Sequence, residues 1–152
     1  MLSISMRVYL DGVFDLWHYG HARLFKQIRD AFPDATIIAG VHNDDTVIRY
    51  KGGPLVLTHD ERVESARHCK YVDEIIENAP WFITPDFMDL HAIDFVAHDG
   101  APYVAGDVAD IYGWLKDAGK FIATQRTDGV STTDLIARVL GNIDGFQQKQ
   151  NR

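Results

Sequence analysis

Apolar residues in this chain come in short bursts separated by stretches of helical period. Val8-Tyr9-Leu10 is the first burst and predicts a strand. The spacing then changes: Leu24, Phe25, Ile28 and Phe32 fall on one face of a helix over His18–Phe32, which Pro33 ends. Thr36–Val41 is nearly continuous in apolar residues and predicts a buried strand. His42–Leu57 has no clear period, and Lys51-Gly52-Gly53-Pro54 marks a loop within it. Thr58-His59-Asp60-Glu61 fits a capping box, so a helix should run from there to about Lys70. Glu74–Glu77 predicts a short strand. Thr84-Pro85 sets an N-cap residue before a first-turn proline. Phe95–Ala97 and Phe121–Ala123 predict two more strands. Helices are expected over Asp107–Ala118, stopped by Gly119, and over Thr132–Leu140, followed by Gly141. The polar tail from Phe146 to Arg152 is expected to fray.

Strands alternating with helices predict an α/β fold: a Rossmann-like, doubly wound, mostly parallel five-stranded sheet with helices on both faces. At 152 residues, with no repeat and no low-complexity segment, the chain reads as a single domain. Its core should span about residues 6–141, with residues 142–152 as tail. Ligands of such folds bind beyond the C-terminal ends of the strands. Asp11–His21, His42–Lys51, Ala79–Trp81, His98–Tyr103 and Gln125–Thr133 all fall there.

Two of these segments carry phosphate chemistry. His18-Tyr19-Gly20-His21 follows a strand and a glycine-containing turn and opens a helix, where unpaired backbone N–H groups favour anions. Two imidazoles there can add donors to a nucleotide phosphate. Surface histidines, or a zinc-binding pair, are the alternatives. Arg126-Thr127-Asp128-Gly129-Val130-Ser131-Thr132-Thr133 again joins a strand to a helix. Arg126 offers a planar charged fork, Gly129 allows close backbone approach, and Ser131 and Thr132 offer hydroxyls. Lys51, in its glycine loop, can close over a phosphate.

The formal charge of −7 argues against nucleic-acid binding and opposes an anionic substrate at long range. A local cluster of Arg49, Lys51 and Arg126, with a divalent metal on the substrate, must overcome that field. Near the strand ends, Trp81, Tyr103 and Tyr112 suit core packing or an aromatic cage for a quaternary ammonium, to which Asp11 would add charge. Trp17 and Trp114 look like packing residues. One cysteine, Cys69, excludes an internal disulfide and suits a reducing compartment, hence a cytoplasmic location. No apolar run reaches the ~18 residues of a spanning helix. Met1–Ser5 lacks the features of a signal peptide.

Over Arg7–Leu140 the chain resembles the catalytic domain of the choline-phosphate cytidylyltransferases. Asp11–Asp15, His18–His21, His68–Glu74, Asn78–Trp81, Ile93–Asp99 and Arg126–Thr133 carry the likeness. The histidine and arginine motifs mark the wider cytidylyltransferase group, and Trp81 with Asp94–Asp99 points to its choline branch. The resemblance implies that CTP and phosphocholine, with Mg²⁺, give CDP-choline and pyrophosphate by direct attack on the α-phosphate. It implies that His18, His21, Lys51 and Arg126 are catalytic. It places CTP against Gly12, Val13, Phe14, His18, His21, Lys51, His98, Asp99, Arg126, Thr127, Gly129, Val130, Ser131 and Thr132. Phosphocholine would meet Asp11, Lys51, Trp81, Tyr103 and Tyr112. Tyr71–Glu74 resembles the family's dimer contact, implying a homodimer. Gly100 departs from the second aspartate usual in the choline branch. Tyr19–His21 and Val41-His42 also resemble the ethanolamine branch, so phosphoethanolamine is the alternative substrate. A non-catalytic nucleotide- or choline-binding module is the further alternative. No amphipathic membrane-binding segment is expected in this chain.

Overall fold

A computed structural model describes residues 5–152; the leader reading of Met1–Ile4 lies outside them. Five strands form one sheet: β1 (Arg7–Gly12), β2 (Thr36–Val41), β3 (Glu74–Ile76), β4 (Phe95–Asp99) and β5 (Phe121–Thr124). Their order is β3-β2-β1-β4-β5, and all four pairings are parallel. Seven helices accompany them among the described residues: α1 (Tyr19–Ala31), α2 (Asp44–Tyr50), α3 (His59–Arg67), α4 (Pro85–Leu90), α5 (Gly113–Asp117), α6 (Thr132–Leu140) and α7 (Ile143–Gln150).

Both faces of the sheet are covered, because successive strand side chains point opposite ways. Val8, Leu10, Ile37, Ala39 and Val41 pack with Phe25 and Ile28 of α1 and Val63 and Ala66 of α3. Tyr9, Ile38 and Val96 pack on the other face with Met88 of α4 and Leu115 of α5. The Tyr9 ring crosses β2 at Gly40, where a Cβ would lie 2.1 Å from its hydroxyl.

The elements depart from expectation in four places. The aperiodic stretch after His42 holds α2, whose N-cap Asn43 accepts from the Thr46 N–H at 2.8 Å. Helix α3 ends at Arg67, not near Lys70, with His68 as C-cap. The helix expected over Asp107–Ala118 is only Gly113–Asp117. Ahead of it, the Asp110 carboxylate accepts from the Tyr103 and Tyr112 N–H groups at 3.2 and 3.0 Å and pairs with Lys116 at 2.7 Å. A side chain that satisfies backbone donors in this way holds a turn rather than a helix. The tail does not fray: α7 is formed, and Phe146 sits with Leu16, Trp17, Leu57, Leu135 and Val139 around one apolar groove.

Candidate active site

At the C-terminal end of β1 the chain turns through Val13–Trp17 and enters α1 through His18. The two histidines cap this helix reciprocally. His18 Nδ1 accepts from the Gly20 N–H at 3.1 Å, and His21 Nδ1 accepts from the His18 N–H at 3.1 Å. With both Nδ1 atoms accepting, each neutral ring carries its proton on Nε2, which remains free to donate. The rings stack at 3.8 Å. Burial, then the His18 and Lys51 charges, drives the His21 pKa down to about 3 against the opposing Asp15. Burial also lowers the His18 pKa. The pair is therefore two neutral donors rather than a fixed charge. A zinc pair is disfavoured because both Nδ1 lone pairs are taken. Among the described residues, no group of three or more His, Cys, Asp or Glu is placed to hold a metal.

Gly20 is required by this arrangement. A Cβ there would lie 2.8 Å from the His18 ring and 3.0 Å from Val130. Phe14, at a φ of 57°, buries its ring between Gly12, Trp17, His21 and Phe25. It thus supports His21 from below as a core residue. Trp17 packs as expected, stacked on Phe25 at 5.9 Å, and Trp114 donates to the Ile83 carbonyl at 2.9 Å.

A cavity of about 310 Å³ opens beside the histidines. Gly12, Val13, Phe14, His21, Lys51, His98, Asp99, Arg126 and Thr132 line it. His18 stands next to it through its stack on His21. Arg126 is 80% exposed, with Nε 3.4 Å from the Asp99 carboxylate. Lys51 is the C-cap of α2. It reaches solvent, but burial against the cavity wall and the Arg126 charge lower its pKa. Arg49 is not part of this cluster: it lies over the Tyr50 ring and lines a separate surface hollow.

After β5, Gly129 takes a φ of 80° and Ser131 caps α6 by accepting from the Asp134 N–H at 3.0 Å. The Thr132 hydroxyl donates to the Asp15 carbonyl at 2.7 Å. Its proton is therefore committed, and Thr132 offers an anion its backbone N–H instead. Thr127 lies off the main cavity, in a shallow hollow with Arg23, Lys26 and Gln27.

A second cavity, of about 80 Å³, adjoins the first and shares Asp11, Gly12, Val13, Lys51, His98 and Arg126 with it. Trp81, Tyr103 and Tyr112 form its aromatic wall. The Trp81 and Tyr103 rings meet edge to face at 5.8 Å, and Tyr103 and Tyr112 at 6.5 Å. Trp81 and Tyr112 are also core residues, so packing and cage readings meet in the same side chains. The Tyr112 hydroxyl donates to Asp11 Oδ1 at 2.7 Å. Burial acts to raise the Asp11 pKa, but His42, His98 and Tyr112 outweigh it and hold the carboxyl below its ordinary value. Burial and Asp11 push the Tyr112 phenol far up, so it stays a donor.

Three buried residues to which the sequence reading gave no role tie this architecture together. Asp15 accepts from the Val56 and Leu57 N–H groups at 2.9 and 2.8 Å, fixing the loop beyond Lys51. Arg62, fully buried, donates to the Val13 and His42 carbonyls at 2.7 and 2.8 Å and to Asp44 at 2.6 Å. His42 lines the small cavity. Arg62 did carry a signal: it shares a helix face with Val63 and Ala66.

Comparisons with known proteins agree with this geometry. The Cytidylyltransferase-like family model matches residues 9–138. The Schizosaccharomyces pombe protein named "Probable choline-phosphate cytidylyltransferase" is 52% identical over 141 residues, covering 93% of this chain and 39% of that protein. A Dictyostelium discoideum ethanolamine-phosphate cytidylyltransferase is 41% identical over 135 residues, 89% of this chain and 37% of that protein. The chain thus spans well under half the length of these curated relatives. The crystal structure of the lipopolysaccharide core biosynthesis protein from Thermoplasma volcanium GSS1 shares the fold. Its TM-score is 0.63 at 20% identity, covering 81% of this chain and 98% of that one. With its sheet order, its paired-histidine helix cap and a family match over most of its length, this chain belongs to the cytidylyltransferase-like family.

Proposed function

We propose that this domain transfers the cytidylyl group of CTP to phosphocholine, giving CDP-choline and pyrophosphate, a step of phosphatidylcholine synthesis. One observation carries the reading: a phosphate-handling cavity and an aromatic cavity with a buried carboxylate share a wall that includes Lys51 and Arg126. The names of the relatives support it. In this reading the aromatic wall and Asp11 hold the quaternary ammonium. Lys51 bridges the phosphates of both substrates. His18 and His21 donate from Nε2 to the triphosphate, and Arg126 with the Gly129–Thr132 turn holds its far end. Gly12, Val13, His98 and Asp99 line the nucleoside.

A phosphocholine oxygen attacks the α-phosphorus and forms the new P–O bond. The bond to the β-phosphate breaks, and its electron pair leaves on pyrophosphate. The attacking oxygen is already ionised, so no strong base is needed, and positioning with charge stabilisation suffices. The donors gain strength as charge builds on the leaving group, which favours the transition state over the ground state.

Mg²⁺ fits as an ion carried by the triphosphate, because the Asp15 oxygens are committed to backbone N–H groups and Asp99 faces Arg126. When bound, it neutralises phosphate charge. We also propose a homodimer. Among the described residues no helix is long and apolar enough to cross a membrane. A cytoplasmic setting suits the free, buried Cys69.

The test is pyrophosphate release from CTP across a panel of phosphorylated alcohols. Phosphocholine is expected to give the highest kcat/KM. A higher value on phosphoethanolamine, or on any other member of the panel, would overturn the choline assignment.

A further inference from the structure

Helix α1 makes a second connection, well away from its histidine cap, to the end of β5. The half-buried Gln27 side-chain amide pairs with the Gln125 backbone through both of its ends. Its Nε2 donates to the Gln125 carbonyl at 2.8 Å, and its Oε1 accepts from the Gln125 N–H at 2.8 Å. Gln125 is the first residue beyond β5, whose last pairing with β4 is Thr124 to Asp99. The glutamine thus takes over where the sheet ladder stops. A primary amide sets a donor and an acceptor side by side, as this pairing needs. A carboxylate has no proton to donate, and an ammonium or guanidinium has no lone pair to accept with.

The next residue is Arg126. Its side chain is 80% exposed, and its contact with Asp99 is long, with Nε 3.4 Å from the carboxylate. The guanidinium therefore depends on its backbone for its place. Gln27 ties that backbone to α1, which Phe25 and Ile28 fix in the core. The same helix carries the histidine donors at its start, with His21 roughly 9 Å along the axis from Gln27. Arg126 lines both the main cavity and the shallow hollow that holds Gln27. One rigid element thus sets the separation between the imidazole donors and the charged fork. We infer that Gln27 is a positioning residue for the cytidylyl transfer, acting through Arg126. It holds the guanidinium in place relative to His18 and His21 across the CTP phosphates. This inference rests on the proposed reaction and on Arg126 holding the triphosphate in it.

The experiment is a double-mutant cycle on Gln27→Met and Arg126→Ala. It reads kcat/KM for CTP with phosphocholine saturating, and the KM for each substrate. Methionine matches glutamine in length and helix propensity but keeps neither bond. Gln27→Met is expected to lose roughly tenfold in kcat/KM for CTP, since displaced catalytic groups cost heavily. The KM for phosphocholine should hold within about twofold, and in the Arg126→Ala background the same change should cost less than about twofold. A loss of the same size in both backgrounds would overturn the inference, because Gln27 would then act without Arg126. So would an unchanged kcat/KM for CTP in the single variant, or an equal rise in both KM values. Should Arg126→Ala turn over too slowly to measure, the split between the two KM values in Gln27→Met decides. Should Gln27→Met fail to unfold cooperatively, Gln27→Glu, which keeps the acceptor and loses the donor, takes its place. If the wild type made no CDP-choline, the proposed reaction itself would fall, a result distinct from a cycle whose effects add.

Discussion

The two histidines act as neutral donors because the backbone fixes their tautomers. Each Nδ1 is a helix-cap acceptor, so each Nε2 is left with a proton to give. Burial matters as much as this geometry, since it holds His21 near a pKa of about 3, far below its ordinary value of 6.5. Between these two values the unfolded chain takes up a proton that the folded chain refuses. His21 thus contributes stability that is full above pH 6.5 and is lost as pH falls towards 3, by about a few kcal/mol in all. Thermal unfolding from pH 7.5 to 4.5 should show Tm falling, and His21→Gln should flatten that fall. An unchanged slope in the variant would show that His21 protonates freely in the folded state. The spacing of His18 and His21 made this pair legible in the sequence. His42 and Asp15 stand in quoted segments, but their contacts were not legible, because the partners lie 37 and 41 residues away and become neighbours only in the folded chain.

At the scale of the element, the start of α1 is a helix built for its side chains rather than for propensity. Alanine in place of Gly20 should favour the helix by about 1 kcal/mol on propensity alone. Its Cβ would instead press on the His18 ring and Val130. Gly20→Ala is therefore expected to keep the helix content and lose activity by roughly tenfold or more, since small misplacements of catalytic groups cost heavily. Circular dichroism beside steady-state kinetics checks this, and unchanged kcat would show that the ring has room to move. Elements with a clear apolar period or a cap signal were legible: the five strands, α1, and the α3 and α6 starts at Thr58 and Ser131. Helix α2 was not, because its seven residues present little more than Val47 to the core. The segment before α5 reads as helical, but the Asp110 carboxylate turns it by bonding to Tyr103 and Tyr112. Propensity lost there to a local side-chain bond. In α7, a polar sequence reads as frayed, yet Ile143–Gln150 is helical, with the half-exposed Phe146 lining a groove beside Leu135 and Val139 of α6.

Across the whole molecule, a net charge of −7 must coexist with the proposed site for two phosphate-bearing substrates. The fold reconciles them by position. With β1 central in the order β3-β2-β1-β4-β5, the turns after β1, β4 and β5 meet at one end of the sheet. They bring Arg126, the α1 cap and the start of α6 to one cavity, and Lys51 arrives from α2. The alternating pattern made this convergence legible, because parallel strands put every such turn at the same end. The contacts that weld the turns together, Asp15 to the loop beyond Lys51 and to Thr132, depend on tertiary packing and were not. The central claim is that this assembly joins CTP to phosphocholine with no covalent intermediate. Phosphorus NMR of the protein with CTP, phosphocholine and Mg²⁺ tests it most directly. The account predicts one pyrophosphate for each CDP-choline formed and no CTP loss when phosphocholine is omitted. Breakdown of CTP to CMP without an acceptor, or no CDP-choline at all, would contradict it.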